Sequence, residues 1–152
     1  MGQVIFRELS ETPSAGTLPE GVTVKVDGRK LRITVPEGAE WCDYILDSDD
    51  DGVDIYVTGK GGGNARRYGD GKGDALRVGD GDGDAWREGN GEGDALRKGN
   101  GFGHARRGGN GDGHARRCGD GHGNARRSGN GDGHARRDGM GEGDAYINGV
   151  KQ

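Results

Sequence analysis

The chain is short of almost everything that fills a conventional protein interior. Hydrophobic residues make up 28% of its 152 positions and aromatic residues 5%. That is too little Leu, Ile, Val and Phe for a thick apolar core. There are two cysteines, Cys42 and Cys118, far apart and in no metal-ligand spacing. This excludes a disulfide-dense secreted scaffold and a structural zinc site. Two free thiols in a reducing, cytoplasmic setting are expected. No apolar run approaches the ~20 residues of a membrane-spanning helix, and none reads as a signal peptide. Membrane insertion is therefore not expected. With 36 glycines and 32% charged residues, composition alone fits a disordered chain. The order of the residues argues against disorder.

Residues 22–26 (Val-Thr-Val-Lys-Val) and 31–35 (Leu-Arg-Ile-Thr-Val) alternate apolar and polar, the pattern of half-buried strands. Asp27-Gly28 between them is a hairpin signal. Val53, Ile55 and Val57 mark a third strand, and Trp41, Tyr44, Ile45 and Leu46 are expected to complete a small core. Residues 10–21, with two prolines and two glycines, read as a linker, and Val4-Ile5-Phe6 as an extra strand or docking segment. Asp47, Asp49, Asp51 and Gly52 have the spacing of a calcium loop. Position twelve of that loop is Thr58 rather than a bidentate glutamate, so a solvated acidic turn is the favoured reading, with calcium the alternative. No other cofactor is expected.

From Gly61 the chain repeats every ten residues, in nine copies of G-x-G-[DHN]-A-x-R-x-G-[DN]. Odd positions are nearly constant and even positions vary. Period two is the mark of extended strands, whereas a polyglycine helix would give period three. Glycine and alanine on the constant face pack only against something very close, so each copy is expected to add a rung to a stack. The predicted fold is all-β: a small N-terminal β module (1–60) capping a narrow glycine-rich β-solenoid of nine decapeptides (61–150), with one or two copies per coil. Tyr146, Ile147 and Val150 depart from the template and are candidates for the opposite cap. Runs such as Gly-Asn-Gly-Asp-Gly-His-Ala-Arg-Arg at 109–117 resemble the glycine-rich decapeptide-repeat proteins of phage and prophage genomes. The resemblance covers residues 61–149. It implies a mobile-element origin and carries no catalytic residues.

Stacking turns each repeat position into a row. Arg67, Arg77, Arg87, Arg97, Arg107, Arg117, Arg127 and Arg137 would form a ladder of eight, held by corner carbonyls and by the Asp or Asn three residues on. At rung spacing such neighbours repel by roughly 1 kcal/mol per pair even in water. Positions four and six vary together in all nine copies: Asp goes with Leu, Trp or Tyr, and His or Asn goes with Arg. Two surfaces follow. One is an apolar stripe, Leu76-Trp86-Leu96, suited to a protein partner or self-association. The other carries Arg106, Arg116, Arg126 and Arg136 with His104, His114 and His134, suited to a polyanion. Residues 101–137 hold eight arginines against Asp112, Asp120 and Asp132, a net +5, whereas residues 1–60 hold 6 basic and 12 acidic residues, a net −6. In a stacked solenoid His104 and His114 would be adjacent, within reach of one ion, but no cysteine or carboxylate completes a tetrahedral metal set around them.

No nucleophile elbow, phosphate loop or pocket-forming apolar framework is present. The expectation is a non-enzymatic binding scaffold, phage-encoded, that engages a host protein or nucleic acid and blocks a host defence. The alternative is a structural virion part such as a tail tip or adhesin, and a homo-oligomer fits either.

Overall fold

The structure, a computed structural model, describes residues 2–152. Among these described residues, fifteen strands and no helix form a β-solenoid. The first six strands are β1 (Gly2–Phe6), β2 (Thr23–Asp27), β3 (Lys30–Thr34), β4 (Cys42–Asp47), β5 (Asp54–Thr58) and β6 (Gly63–Tyr68). One short strand per decapeptide follows: β7 (Ala75–Val78), β8 (Ala85–Glu88), β9 (Ala95–Lys98), β10 (Ala105–Gly108), β11 (Ala115–Cys118), β12 (Ala125–Arg127), β13 (Ala135–Arg137) and β14 (Ala145–Ile147), with β15 (Val150–Lys151) at the end. Successive decapeptides alternate between two sheets. The first sheet runs β1-β4-β6-β8-β10-β12-β14-β15, and the second β13-β11-β9-β7-β5-β3-β2. A coil is therefore two decapeptides, and partners lie twenty residues apart: Ala65 beside Ala85, Ala75 beside Ala95.

The turn between copies explains the period. Four residues make the strand, and the chain must then reverse. Between Gly69 and Gly139 the glycine at position nine does this with positive φ, from 93° at Gly109 to 132° at Gly89 and Gly99, a region that residues with a Cβ avoid. The glycine at position three answers a different demand. A Cβ on Gly93 would overlap the carbonyl oxygen of Gly73 one coil earlier. Turn backbones thus stack on one another with no room for side chains.

The first sixty residues are built into the same two sheets. β4 continues into β6 in parallel register, and β5 continues into β7. The division at residue 60 is thus one of composition, because the hydrogen-bonded sheets cross it. Tyr44 occupies the slot of Ala65, Leu46 that of Arg67, and Val57 that of Arg77. Val4, Phe6, Leu31, Ile33, Tyr44, Leu46, Ile55 and Val57 are fully buried and fill two apolar coils, β1 with β3 and then β4 with β5, the second of which meets the repeats. The alanine and arginine interior stacks directly on this second coil. The Asp27–Lys30 hairpin is present as expected. At the other end, β15 folds back antiparallel on β14. Of the three residues expected to cap it, Ile147 packs against the alanine column, Tyr146 stands on the outer face beside Arg126, and Val150 is exposed.

The interior has an unusual filling. Arg67, Arg77, Arg87, Arg97, Arg107 and Arg117 are fully buried, and Arg127 is 2% exposed. The sequence reading of one ladder of eight needs correction. With two copies per coil there are two columns of four, 67-87-107-127 and 77-97-117-137. The expected carboxylate partners are also not used. From Arg77 to Arg137 each guanidinium crosses the interior to backbone carbonyls of the preceding decapeptide, while Arg67 reaches Ser48 O and Val53 O before the repeats. Arg97 Nε donates to Gly83 O at 2.6 Å, Nη2 to Gly81 O at 2.6 Å and Nη1 to Lys98 O at 2.6 Å. Arg77, Arg107 and Arg117 repeat this arrangement. A buried cation survives only when its donors are met, and here turn carbonyls meet them. Burial first, and then the neighbouring arginines of the column, pushes Arg97 down to about 9 and Arg87 to about 10. Both remain cationic at neutral pH.

Candidate functional site

With arginine, alanine and glycine turned inward, only the even repeat positions face solvent. Position four sits at the corner before each strand and has its own rule. Its side chain accepts a hydrogen bond from the backbone N–H twenty residues on. Asn64 Oδ1 accepts from Asp84 N, Asp84 Oδ1 from His104 N, His104 Nδ1 from Asn124 N and Asn124 Oδ1 from Asp144 N, at 2.8–2.9 Å. On the second sheet Asp94 Oδ1 accepts from His114 N, and His114 Nδ1 from His134 N. Asp, Asn and His share one property: an acceptor two bonds beyond Cβ. That is why position four admits these three and no others. His104 and His114 therefore carry their proton on Nε2. They stand on different sheets rather than adjacent, and His114 instead stacks on His134, with ring centroids 5.2 Å apart.

The corner at His104 is sensitive to acid. Burial holds His104 below its ordinary 6.5, outweighing Asp84, while Arg106, Arg126 and Arg117 push the same way. Above pH 6.5 the imidazole is neutral both folded and unfolded. As pH falls through 6.5 the unfolded chain takes up the proton first, so stability is lost until the folded imidazole also protonates. The urea midpoint should fall between pH 7.5 and 5, and His104→Asn, which keeps an acceptor, should reduce that fall. An identical pH dependence in the variant would exclude this role for His104.

The acidic turn makes the same kind of bond to the next coil as position four does. Asp49 Oδ1 accepts from Asp70 N and Asp51 Oδ1 from Lys72 N, each onto the next coil, while Asp47 pairs with Arg7 at 3.5 Å. The three carboxylates do not converge on one point, and among the described residues no cluster of His, Cys, Asp and Glu has metal-binding geometry. Burial pushes the Cys42 thiol up to about 11, which leaves it inert at neutral pH.

Position six carries the exposed chemistry, and the alternation of sheets rearranges both expected stripes. Leu76 and Leu96 are neighbours on the second sheet, beside Tyr56, with Arg116 and Arg136 continuing that row. Trp86 lies on the first sheet, so Leu76-Trp86-Leu96 is not one surface. The four arginines likewise split into Arg106–Arg126 and Arg116–Arg136.

The first-sheet row is the more organised. In order along the rod it reads Arg66, Trp86, Arg106, Arg126, Tyr146. Arg66 and Arg106 cover the two sides of the Trp86 ring, at 4.9 and 5.5 Å, and Arg126 covers Tyr146 at 5.1 Å. Cation–π contacts of this kind hold guanidinium planes in place. Arg66 is neutralised by Asp43 at 3.7 Å, and Arg136 on the other sheet by Asp138 at 3.1 Å. Among the described residues no carboxylate lies within salt-bridge distance of Arg106 or Arg126. Beside them runs an open groove of about 540 Å³, lined by Trp86, Glu88, Arg106, Gly108, Arg126 and Tyr146 among others. Sequence reasoning finds these arginines but not their pairing with Trp86 and Tyr146, which depends on the parity of the coil.

No family model, curated protein or solved structure matches this chain. No helix is long and apolar enough to cross a membrane among the described residues.

Proposed function

We propose that this protein is a non-enzymatic binding scaffold that grips a polyanion along the first sheet. One observation carries the reading. Arg106 and Arg126 are neighbours in register, each stacked on an aromatic ring, and neither has a carboxylate partner. Two guanidinium forks one rung, about 4.8 Å, apart can share a single phosphate or sulfate oxyanion. The aromatic supports fix the forks in advance, which lowers the entropy lost on binding. The surrounding net +5 of residues 101–137 steers anions toward this half of the rod.

The test is salt-dependent binding of a labelled single-stranded oligonucleotide, followed by fluorescence anisotropy. The double variant Arg106→Ser, Arg126→Ser should lose roughly tenfold or more in affinity at low salt. It should also flatten the plot of log K against log salt by about 1.5, the share of two phosphate contacts. Unchanged affinity and slope would show that these two arginines are solvated surface and nothing more.

A further inference from the structure

Most glycines of the repeats are required where they stand. Gly108 is not. It is the position-eight residue of its copy, a slot filled elsewhere by Tyr68, Val78, Glu88, Lys98, Cys118, Ser128, Asp138 and Asn148. Its φ is not positive. A Cβ added there would meet only Ser128 Oγ at 3.6 Å and Glu88 Cγ at 3.9 Å, ordinary contacts. A glycine inside a strand weakens it, through lost chain entropy and lost packing. The fold therefore gains nothing from this glycine, yet its missing side chain opens the groove beside Arg106 and Arg126.

We propose that this groove seats one nucleotide unit of a single-stranded nucleic acid. This rests on the polyanion reading above and narrows it. Arg106 and Arg126 take the phosphate. The faces of Trp86 are already occupied by Arg66 and Arg106, so the base does not stack there. It lies flat on the bare backbone at Gly108–Gly109, between the arginine and aromatic row and the turn. Glu88, at one end of the groove, accepts hydrogen bonds from an exocyclic amino group or a sugar hydroxyl. A groove of about 540 Å³ holds a base and its sugar. A base-free polyanion would use the arginines and leave the floor empty.

The experiment compares a labelled oligoadenylate with inorganic polyphosphate of matched charge, using the full chain. Three variants are measured: Gly108→Leu, Gly108→Ser, and the double Arg-to-Ser change. The oligonucleotide should bind at least tenfold tighter than polyphosphate. Gly108→Leu fills the groove and should cost about tenfold for the oligonucleotide while leaving polyphosphate unchanged. Gly108→Ser, which keeps most of the space, should lose less, and circular dichroism of both Gly108 variants guards against misfolding as the explanation. Adenosine monophosphate as competitor separates the sources of the unit. Competition at concentrations near the oligonucleotide's own would make a free nucleotide the ligand. Competition only at far higher concentrations would make it a strand. Equal affinity for polyphosphate and oligonucleotide, or an oligonucleotide affinity untouched by Gly108→Leu, overturns the proposal while the polyanion reading survives. Binding of neither anion overturns both.

Discussion

Replacing Arg97 by leucine should cost this protein about 3–5 kcal/mol, enough to move a urea midpoint well outside error. Leucine resembles the aliphatic stem of arginine and removes a cation whose burial is itself unfavourable, as the lowering of Arg97 to about 9 indicates. A purely hydrophobic view therefore predicts a neutral or stabilising change. The carbonyls decide otherwise. Gly81 O and Gly83 O accept from Arg97, and no backbone N–H in the turns reaches either. Substitution leaves them orphaned in a dry interior, at about 1–3 kcal/mol each. An ion pair can be replaced whole by apolar side chains, but backbone carbonyls cannot be substituted away. Arg116→Ser is the control: a nearby arginine turned outward, expected to stay within about 0.5 kcal/mol of the parent. An Arg97→Leu variant as stable as the parent would mean that the arginine columns are tolerated rather than required.

Gly103→Ala should be comparably damaging, by roughly 3 kcal/mol or more. The new methyl would overlap the Gly83 carbonyl oxygen and press on Arg97 Nε, two atoms that are bonded to each other. Neither can retreat. The carbonyl belongs to a turn stacked on its own neighbours, and the guanidinium is fixed at several points. Five residues away, Gly108→Ser should leave the melting temperature nearly unchanged. The comparison isolates geometry, because both changes put a small side chain in place of glycine within one decapeptide. Equal melting temperatures for the two variants would contradict the close stacking of turns.

Much of the rod is legible in the residues alone. Period two in glycine, alanine and arginine points to strands, and the constant face points inward. The number of copies per coil is not legible, because a ten-residue period fits one copy or two equally well. That single unknown controls every surface assignment: Trp86 parts from Leu76 and Leu96, and Arg106 from Arg116. The burial of the arginines is written in the odd register they share with alanine. What obscures it is the rule that charged residues stay outside. The rule yields here because glycine-rich turns expose carbonyls to the interior. Position four also carries a usable signal, since Asp, Asn and His are alike chiefly in the reach of one acceptor atom. β4 escapes the alternation test because Tyr44-Ile45-Leu46 is continuous in hydrophobicity. Ile45 stands on the outer row between Ile5 and Arg66 while its two neighbours point in.

Because facing strands come from every second decapeptide, this architecture counts in twos. Adding or deleting twenty residues would lengthen or shorten the rod and return every downstream side chain to its own sheet. Adding ten would carry the whole downstream half to the opposite side, moving Arg106 off the Trp86 ring and onto the leucine row. Growth or loss of this rod without loss of its surface chemistry is therefore expected only in steps of whole coils.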